Sequence, residues 1–189
     1  MYNEKMYELG AHSSIIREIF EYGKKRSAEI GKENVFDFSI GNPSVPAPEI
    51  VNETIKKLVD EMPSTLLHGY TSAVGDLNVR KSIADYLNNT YETKFNPNNF
   101  YMTCGAAASL TITFNALFES DNEVILFAPY FPEYKVFAST AGFKPVTVMC
   151  DSDTLQIDLN SFEKAINKNT KAVVVNSPNN PSGVVLSED

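Results

Sequence analysis

The spacing of apolar residues differs between the two halves of this 189-residue chain. In the first half it is helical, which predicts amphipathic helices over residues 13–30, 48–62 and from about 75 to 87. Residues 35–40 alternate weakly between apolar and polar side chains, which predicts a short strand. The proline-rich residues 41–48 that follow predict a shaped loop without regular structure.

From residue 100 onward, runs of consecutive apolar residues alternate with helical segments. The runs predict strands at 100–104, 124–128, 146–150 and 171–175, and the helices between them are predicted at 106–118, 132–141 and 161–166. Strands that are apolar on consecutive residues are buried on both faces, as in a parallel sheet with helices on both sides. The pattern therefore predicts an α/β fold with a doubly wound, mostly parallel sheet and flanking helices.

Composition and charge exclude several classes of partner. Sixteen Lys and Arg residues stand against 24 Asp and Glu residues, and the net charge of −8 offers no basic surface for nucleic acid or an anionic membrane. No stretch approaches the roughly 18 apolar residues of a membrane helix, and the first residues lack the apolar core of a signal peptide. The sequence predicts a soluble, cytoplasmic protein with neither nucleic acid nor membrane as partner.

Neither the cysteines nor the histidines have a metal-binding spacing. Cys104 and Cys150 each lie in or at the end of an apolar run, so we expect them to be small buried residues in a reducing compartment. His12 and His68 are expected to be ordinary surface residues. No Ser–His–Asp arrangement or paired-carboxylate motif is present, so the sequence predicts neither a metal site nor hydrolytic chemistry.

Ligands of open α/β sheets bind at the carboxyl ends of the strands, so the residues after each apolar run are the candidates for chemistry. Gly105 follows the first run, and the backbone amides of Ala106 and Ala107 then begin a helix whose dipole favours a phosphate. The same glycine also suits an ordinary turn from strand to helix. The segment matches neither GxGxxG nor GxxxxGK(S/T), which disfavours a dinucleotide or a nucleoside triphosphate.

Three other segments carry polar or aromatic groups at such positions. Residues 129–134 present aromatic rings on which a flat heteroaromatic ligand can stack. Residues 176–183 hold several amide side chains on a proline-rich turn, and Tyr70 lies in a glycine-flanked loop where its hydroxyl can donate to an anion. Each segment also has a purely structural interpretation, as core aromatics, asparagines bonded to nearby backbone, and a surface tyrosine.

Taken in order, these segments resemble the first half of a fold-type I pyridoxal-phosphate enzyme of the class I and II aminotransferases. The resemblance rests on Ile40-Gly-Asn-Pro, on Tyr70 with Gly75 and Arg80, and on the motifs Thr103-Cys-Gly-Ala-Ala-Ala-Ser-Leu, Pro129-Tyr-Phe-Pro-Glu-Tyr and Asn176-Ser-Pro-Asn-Asn-Pro-Ser-Gly. The last motif is the most specific: it is the family's N-x-P-x-N-P-T-G pattern with Ser182 for Thr. The implied domains are an N-terminal arm with a small-domain segment at 1–40 and an incomplete cofactor-binding large domain at 41–189.

The resemblance implies pyridoxal 5'-phosphate as the cofactor and gives individual residues their roles. The turn at Gly105, through the amides of Ala106 and Ala107, would meet the cofactor phosphate. Phe131 would stack on the pyridine ring, at a position where aspartate-type members often have tryptophan. Asn180 would donate a hydrogen bond to the phenolic oxygen of the ring.

The same resemblance assigns a substrate side and a quaternary structure. Gly41 would bring its backbone close to the substrate carboxylate, and Ile15 would form a wall of the substrate pocket. Tyr70 would reach the phosphate bound by the neighbouring subunit, which implies a homodimer with shared active sites.

The implied activity is transfer of an amino group from an amino acid to a 2-oxo acid. The family's Schiff-base lysine, pyridine-nitrogen aspartate and carboxylate-binding arginine all follow the Asn-Pro-Thr-Gly turn, so we expect them beyond Asp189 and expect residues 1–189 alone to be inactive. Two alternatives remain: a carbon–sulfur lyase that uses the same cofactor and fold, and a non-catalytic, aminotransferase-like ligand-binding module. The absence of a basic helix-turn-helix before residue 13 argues against the module.

Overall fold

The computed structural model describes residues 2–11, 15–41, 43 and 45–188. The chain divides into two compact units, Met1–Tyr70 and Thr71–Asp189, each held by its own contacts. The domain boundary predicted at residue 40 concerns the complete protein and stays a prediction. His12, the first two residues of the helix predicted over 13–30, and Asn42 of the Ile40-Gly-Asn-Pro motif lie outside the described residues.

The first unit is helical, as its apolar spacing predicts. It contains α1 (Glu4–Ala11), α2 (Ile15–Ile30), a 3₁₀ turn (Lys32–Asn34), α3 (Glu49–Glu61) and α4 (Ser64–Leu67). Gly31 follows α2 with a φ of 90°, a backbone conformation that suits glycine, and α2 ends at residue 30, as predicted. The apolar spacing does not predict α1 or the single-turn α4.

The strand predicted over residues 35–40 does not form, so that prediction is wrong. The Asp37 Oδ1 atom accepts a hydrogen bond from the backbone N–H of Ser39 at 2.9 Å, which bends the chain and competes with an extended ladder. The neighbouring hydroxyl and backbone N–H of Ser39 also lower the pKa of the Asp37 carboxyl. Phe36 and Phe38 are 81% and 92% exposed, so the weak alternation of this segment corresponds to no buried face.

The second unit alternates strands and helices. It contains α5 (Leu77–Tyr91), a 3₁₀ turn (Pro97–Asn99), α6 (Ala106–Leu117), β1 (Glu123–Ala128), α7 (Glu133–Ala141), β2 (Lys144–Met149), α8 (Leu159–Ala165) and β3 (Thr170–Val174). Aspartate side chains begin two of these helices: Asp76 accepts the N–H groups of Asn78 and Val79, and Asp158 caps α8 in the same way.

The sheet has three parallel strands in the order β2-β1-β3. Central β1 is buried on both faces, because Leu126 packs with α6 and α7 on one side while Ile125 belongs to a cluster with α8 on the other. These burial patterns explain why the strand is apolar on consecutive residues. The predicted α/β fold with a parallel sheet and flanking helices is confirmed.

A polar cluster joins the three strands at their amino ends. Glu123 is 6% exposed, and its carboxylate accepts hydrogen bonds from Lys144 Nζ at 3.0 Å and from Asn167 Nδ2 at 2.7 Å. We call these three residues the amino-edge cluster. The hydrogen bond from Asn167, followed by the one from Lys144, lowers the pKa of the Glu123 carboxyl.

The apolar run at 100–104 is not a strand, which corrects a second prediction. Its one backbone link to the loop before α5 is the hydrogen bond from Met102 N–H to the Val74 carbonyl at 3.1 Å. A β-ladder needs a neighbouring strand in register, and within the described ranges β2, β1 and β3 pair only with one another. Tyr101 is therefore 60% exposed.

None of the helices in the described ranges is both long enough and apolar enough to cross a membrane.

Candidate active site

The predicted ligand-bearing segments of the second unit converge on the carboxyl ends of the strands. Residues 129–132 follow β1, and residues 176–183 come after β3. Helix α6 packs on the face of the sheet that Leu126 occupies, where Phe114 and Leu110 belong to the cluster that includes Tyr130. The structure thus brings the aromatic loop and the asparagine turn to the edge where open α/β sheets bind ligands, and the glycine turn begins the helix that packs in the same unit.

The turn at Gly105 leaves the beginning of α6 open. Gly105 has φ 89° and ψ 171°, and no side chain caps the helix. The first hydrogen bond of the helix runs from Ser109 N–H to the Gly105 carbonyl at 3.2 Å. The preceding amides of Ala106 and Ala107 are exposed and take no acceptor among the described residues. Unpaired N–H groups at the positive end of a helix dipole fit the phosphate of the implied cofactor.

Two hydroxyl groups hold this turn, and sequence reasoning missed them. Thr103 Oγ1 donates to the Gly105 carbonyl at 3.1 Å and is hydrogen-bonded to Ser109 Oγ. These side chains stand two residues before and four residues after the glycine, so they meet only because the chain reverses into a helix there. The Gly105 carbonyl is thereby held away from the open amides.

Cys104 is exposed, so the prediction that it is buried is wrong, and Cys150 is only partly buried. Cys104 is exposed because the predicted strand does not form, so its side chain projects from a turn and not from a sheet position. Burial raises the pKa of the Cys150 thiol. Both cysteines are free thiols.

The loop after β1 carries the aromatic rings. Phe131 is half-buried, and its ring meets Tyr134 edge-on, with 5.6 Å between the ring centroids. The Tyr130 hydroxyl is hydrogen-bonded to Thr147 Oγ1 of β2 at 3.1 Å, which anchors the loop to the sheet. Stacking of a flat ligand on this half-buried ring stays a prediction.

The turn after β3 is held by Asn179 and presents Asn180. Asn179 Nδ2 donates to the Pro129 carbonyl at 2.9 Å and to Ser182 Oγ at 2.8 Å, whereas the Asn180 side chain is exposed. A small cavity between the ends of β1 and β3 is lined by residues that include Tyr130, Asn176 and Asn179. The peptide bonds before Pro129, Pro178 and Pro181 are cis.

The remaining predicted site residues belong to the first unit. Ile15 is 70% exposed at the start of α2, the Tyr70 side chain is fully exposed, and a side chain at Gly41 would meet nothing within 4 Å. His68 is exposed, as predicted. The roles of Ile15, Gly41 and Tyr70 at a shared site stay predictions. No metal-binding group of three His, Cys, Asp or Glu residues occurs in the part of the chain that the structure describes.

The family profile "Aminotransferase class I and II" matches residues 33–189, which is most of the chain. The chain belongs to this family. Its members use pyridoxal 5'-phosphate. The match includes the turn at Gly105, the aromatic loop and the asparagine turn, and it confirms the resemblance on which the sequence analysis relied.

Relatives and solved structures agree with that assignment. The chain is 32% identical to an aspartate aminotransferase of Pyrococcus horikoshii over 177 residues, which are 93% of this chain and 43% of that protein. It is 31% identical to the (5-formylfuran-3-yl)methyl phosphate transaminase of Methanocaldococcus jannaschii, covering 96% of this chain and 45% of the relative.

Among crystal structures, an amino transferase from Eubacterium rectale superposes with a TM-score of 0.95 at 59% identity, over 100% of this chain and 48% of the other. The aspartate aminotransferase of Thermotoga maritima superposes with a TM-score of 0.83 at 29% identity, over 99% of this chain and 48% of the other. The chain therefore spans a little under half the length of the aminotransferases it matches.

Proposed function

We propose that the complete protein is a pyridoxal-phosphate-dependent aminotransferase that moves an amino group from an amino acid to a 2-oxo acid. The observation that carries the proposal is the family match over residues 33–189, which includes the glycine turn and the two loops that meet after β1 and β3. Relatives named as aspartate aminotransferases support the reaction type. The residues on the substrate side of the site determine which amino acid is used.

Each segment has a task that its geometry supports. The open amides of Ala106 and Ala107, after Gly105, hold the cofactor phosphate by hydrogen bonds that the helix dipole strengthens. Phe131 stacks on the cofactor ring and fixes its plane. The exposed amide of Asn180 donates to the phenolic oxygen. Bound pyridoxal phosphate supplies an electron-withdrawing ring that stabilises negative charge at the α-carbon of the substrate.

The proposal extends to the first unit and to the assembly. Gly41 approaches the substrate carboxylate, Ile15 lines the substrate side, and Tyr70 donates to the phosphate bound by a second subunit of a homodimer. The full exposure of the Tyr70 ring in a single chain supports a partner across an interface. We place the protein in the cytoplasm, because its two thiols are unpaired, as is usual in a reducing compartment.

The test uses the full-length protein and the substitution Asn180→Ala. A charge-assisted hydrogen bond contributes about 1.5–3 kcal/mol, so the dissociation constant for pyridoxal phosphate should rise about 10- to 100-fold. Equilibrium dialysis measures it. Asn160→Ala, at an exposed position at the start of α8, is the matched control and should bind like the wild type.

Activity is measured by incubating amino acids with a 2-oxo acid acceptor and quantifying the new amino acid. Wild-type protein that binds no pyridoxal phosphate would overturn the proposal. Release of ammonia and a thiol from a sulfur-containing amino acid, with no amino group passed to the acceptor, would assign the lyase activity instead. Unchanged cofactor affinity in Asn180→Ala would remove Asn180 from the site.

A further inference from the structure

One side chain connects the two loops that carry the proposed cofactor contacts. Asn179 Nδ2 donates to the Pro129 carbonyl, across 50 residues of sequence, and to Ser182 Oγ within its own turn. Pro129 stands two residues before Phe131, and Asn179 directly precedes Asn180. A single amide group therefore lies between the ring-stacking loop and the residue proposed to donate to the ring oxygen.

The chemistry of the partners determines the orientation of this amide. A backbone carbonyl only accepts hydrogen bonds, so the Nδ2 group of Asn179 must face Pro129. Ser182 Oγ, its second partner, also accepts the backbone N–H of Val184 at 3.3 Å. The hydroxyl at position 182 thus accepts hydrogen bonds from two donors. This explains why the position carries a hydroxyl residue, which is serine in this chain and threonine in the family pattern.

The asparagine turn is rigid on its own side of this link. Asn179 N–H donates to the Val184 carbonyl at 2.8 Å, and Gly183 N–H donates to the Asn179 carbonyl at 2.7 Å. The loop after β1 has a local bond of its own, from Tyr134 N–H to the Phe131 carbonyl at 3.0 Å. Each loop is closed within itself, and both are tied to the sheet at their strand ends; the Asn179–Pro129 hydrogen bond is the link that runs directly from one loop to the other.

We propose that Asn179 is a positioning residue that sets the distance and angle between Phe131 and Asn180, and hence the pose of the cofactor ring between them. The inference rests on the proposed function. Site geometry has to be held to within a fraction of an ångström, and groups that merely support the contacting residues carry much of that precision. Asn179 itself touches neither cofactor nor substrate in this proposal.

The test compares variants of the full-length protein that alter only this link. Asn179→Asp keeps the shape but loses both donors and sets a carboxylate oxygen against the Pro129 carbonyl; Asn179→Ala is a milder second variant. Ser182→Thr retains the hydroxyl acceptor. Gln156→Leu is the matched control, because Gln156 holds the later part of the same loop through Val185 and Ser187, at 3.1 Å each.

Two measurements are made. In the cofactor-free protein, hydrogen exchange should quicken about tenfold in both peptides, 129–134 and 176–184, for Asn179→Asp and Asn179→Ala. In the loaded protein, the dissociation constant for pyridoxal phosphate should rise about tenfold for the same variants, since two neutral hydrogen bonds are lost. Ser182→Thr should leave both values within about twofold of wild type, and Gln156→Leu should quicken exchange only after residue 184.

Faster exchange confined to residues 176–184, with residues 129–134 unchanged, would overturn the proposal, because the two loops would then be independent. Unchanged cofactor affinity alongside faster exchange in both loops would overturn it too, because the link would then be structural only. Failure of the wild type to bind pyridoxal phosphate would refute the proposed function, and the exchange measurement would still report whether Asn179 couples the loops.

Discussion

Replacing Arg80 should loosen the segment that leads into the Gly105 turn. Arg80 lies on α5 and is only 6% exposed, yet its guanidinium donates to backbone carbonyls. Its Nε donates to the Gly75 carbonyl at 3.2 Å, and its Nη1 donates to the Pro97 carbonyl at 2.7 Å. These bonds join the loop before α5 to the segment that continues through Met102 to the turn.

The expected magnitude follows from those two bonds. A hydrogen bond from a charged donor contributes about 1.5–3 kcal/mol, and we assign the lower limit of about 1.5 kcal/mol to each of the two bonds. Arg80→Met keeps the buried stem and removes both bonds, so the local structure should lose about 3 kcal/mol. Because about 1.4 kcal/mol is a factor of ten, local opening should become roughly 100-fold more frequent.

Hydrogen exchange of the full-length protein measures this opening amide by amide. The informative amides are those of Gly75, bonded to Ser72 at 2.8 Å, and Met102, bonded to Val74 at 3.1 Å. The Cys150 amide, bonded to Ala128 at 2.9 Å in the sheet, serves as the internal reference and should not change. Lys81→Met, at the exposed neighbouring position, controls for the loss of a positive charge.

Two outcomes would refute the reasoning. If Gly75 and Met102 exchange at wild-type rates in Arg80→Met, the guanidinium does not hold the segment. If Lys81→Met has an equal effect, the effect is one of charge and not of the two hydrogen bonds. Arg80→Lys should fall between wild type and Arg80→Met, since an ammonium group cannot reproduce the two diverging donors of a guanidinium.

Two further predictions concern titratable groups. Hydrogen bonds in the amino-edge cluster lower the pKa of Glu123 from its ordinary value of 4.5, so they stabilise the fold above about that pH, and this stabilisation is lost as the pH falls through the lowered value. Glu123→Gln should therefore show a smaller drop in melting temperature between about pH 7 and pH 3 than the wild type. The control Glu119→Gln, at a side chain that is 74% exposed, should show the same drop as the wild type. Equal drops in all three proteins would contradict the prediction. A thiol reagent should modify exposed Cys104 well before Cys150, whose pKa is raised by burial, and mass-spectrometric mapping that finds Cys150 labelled first would be contrary to this expectation.

The alternation of helices and strands between residues 105 and 175 follows from the sequence alone. Both faces of β1 are buried, so its apolar run is continuous, and the helices beside it have their own apolar spacing. The ligand-bearing motifs are similarly local, because Gly105, Phe131 and Asn180 are recognised by their immediate neighbours in the chain. Local pattern and motif were sufficient to predict this part of the fold and the candidate residues.

Only the tertiary structure decided which apolar runs are strands and what holds the site residues in place. A strand exists only where a neighbouring strand offers hydrogen bonds in register. The run at 100–104 has no such neighbour among the described residues, so it forms no strand and Cys104 is exposed. The hydroxyls at Thr103 and Ser109 meet through a chain reversal, and Asn179 meets Pro129 because β1 and β3 are adjacent in the sheet. Contacts between residues far apart in sequence depend on strand order, which no local spacing encodes.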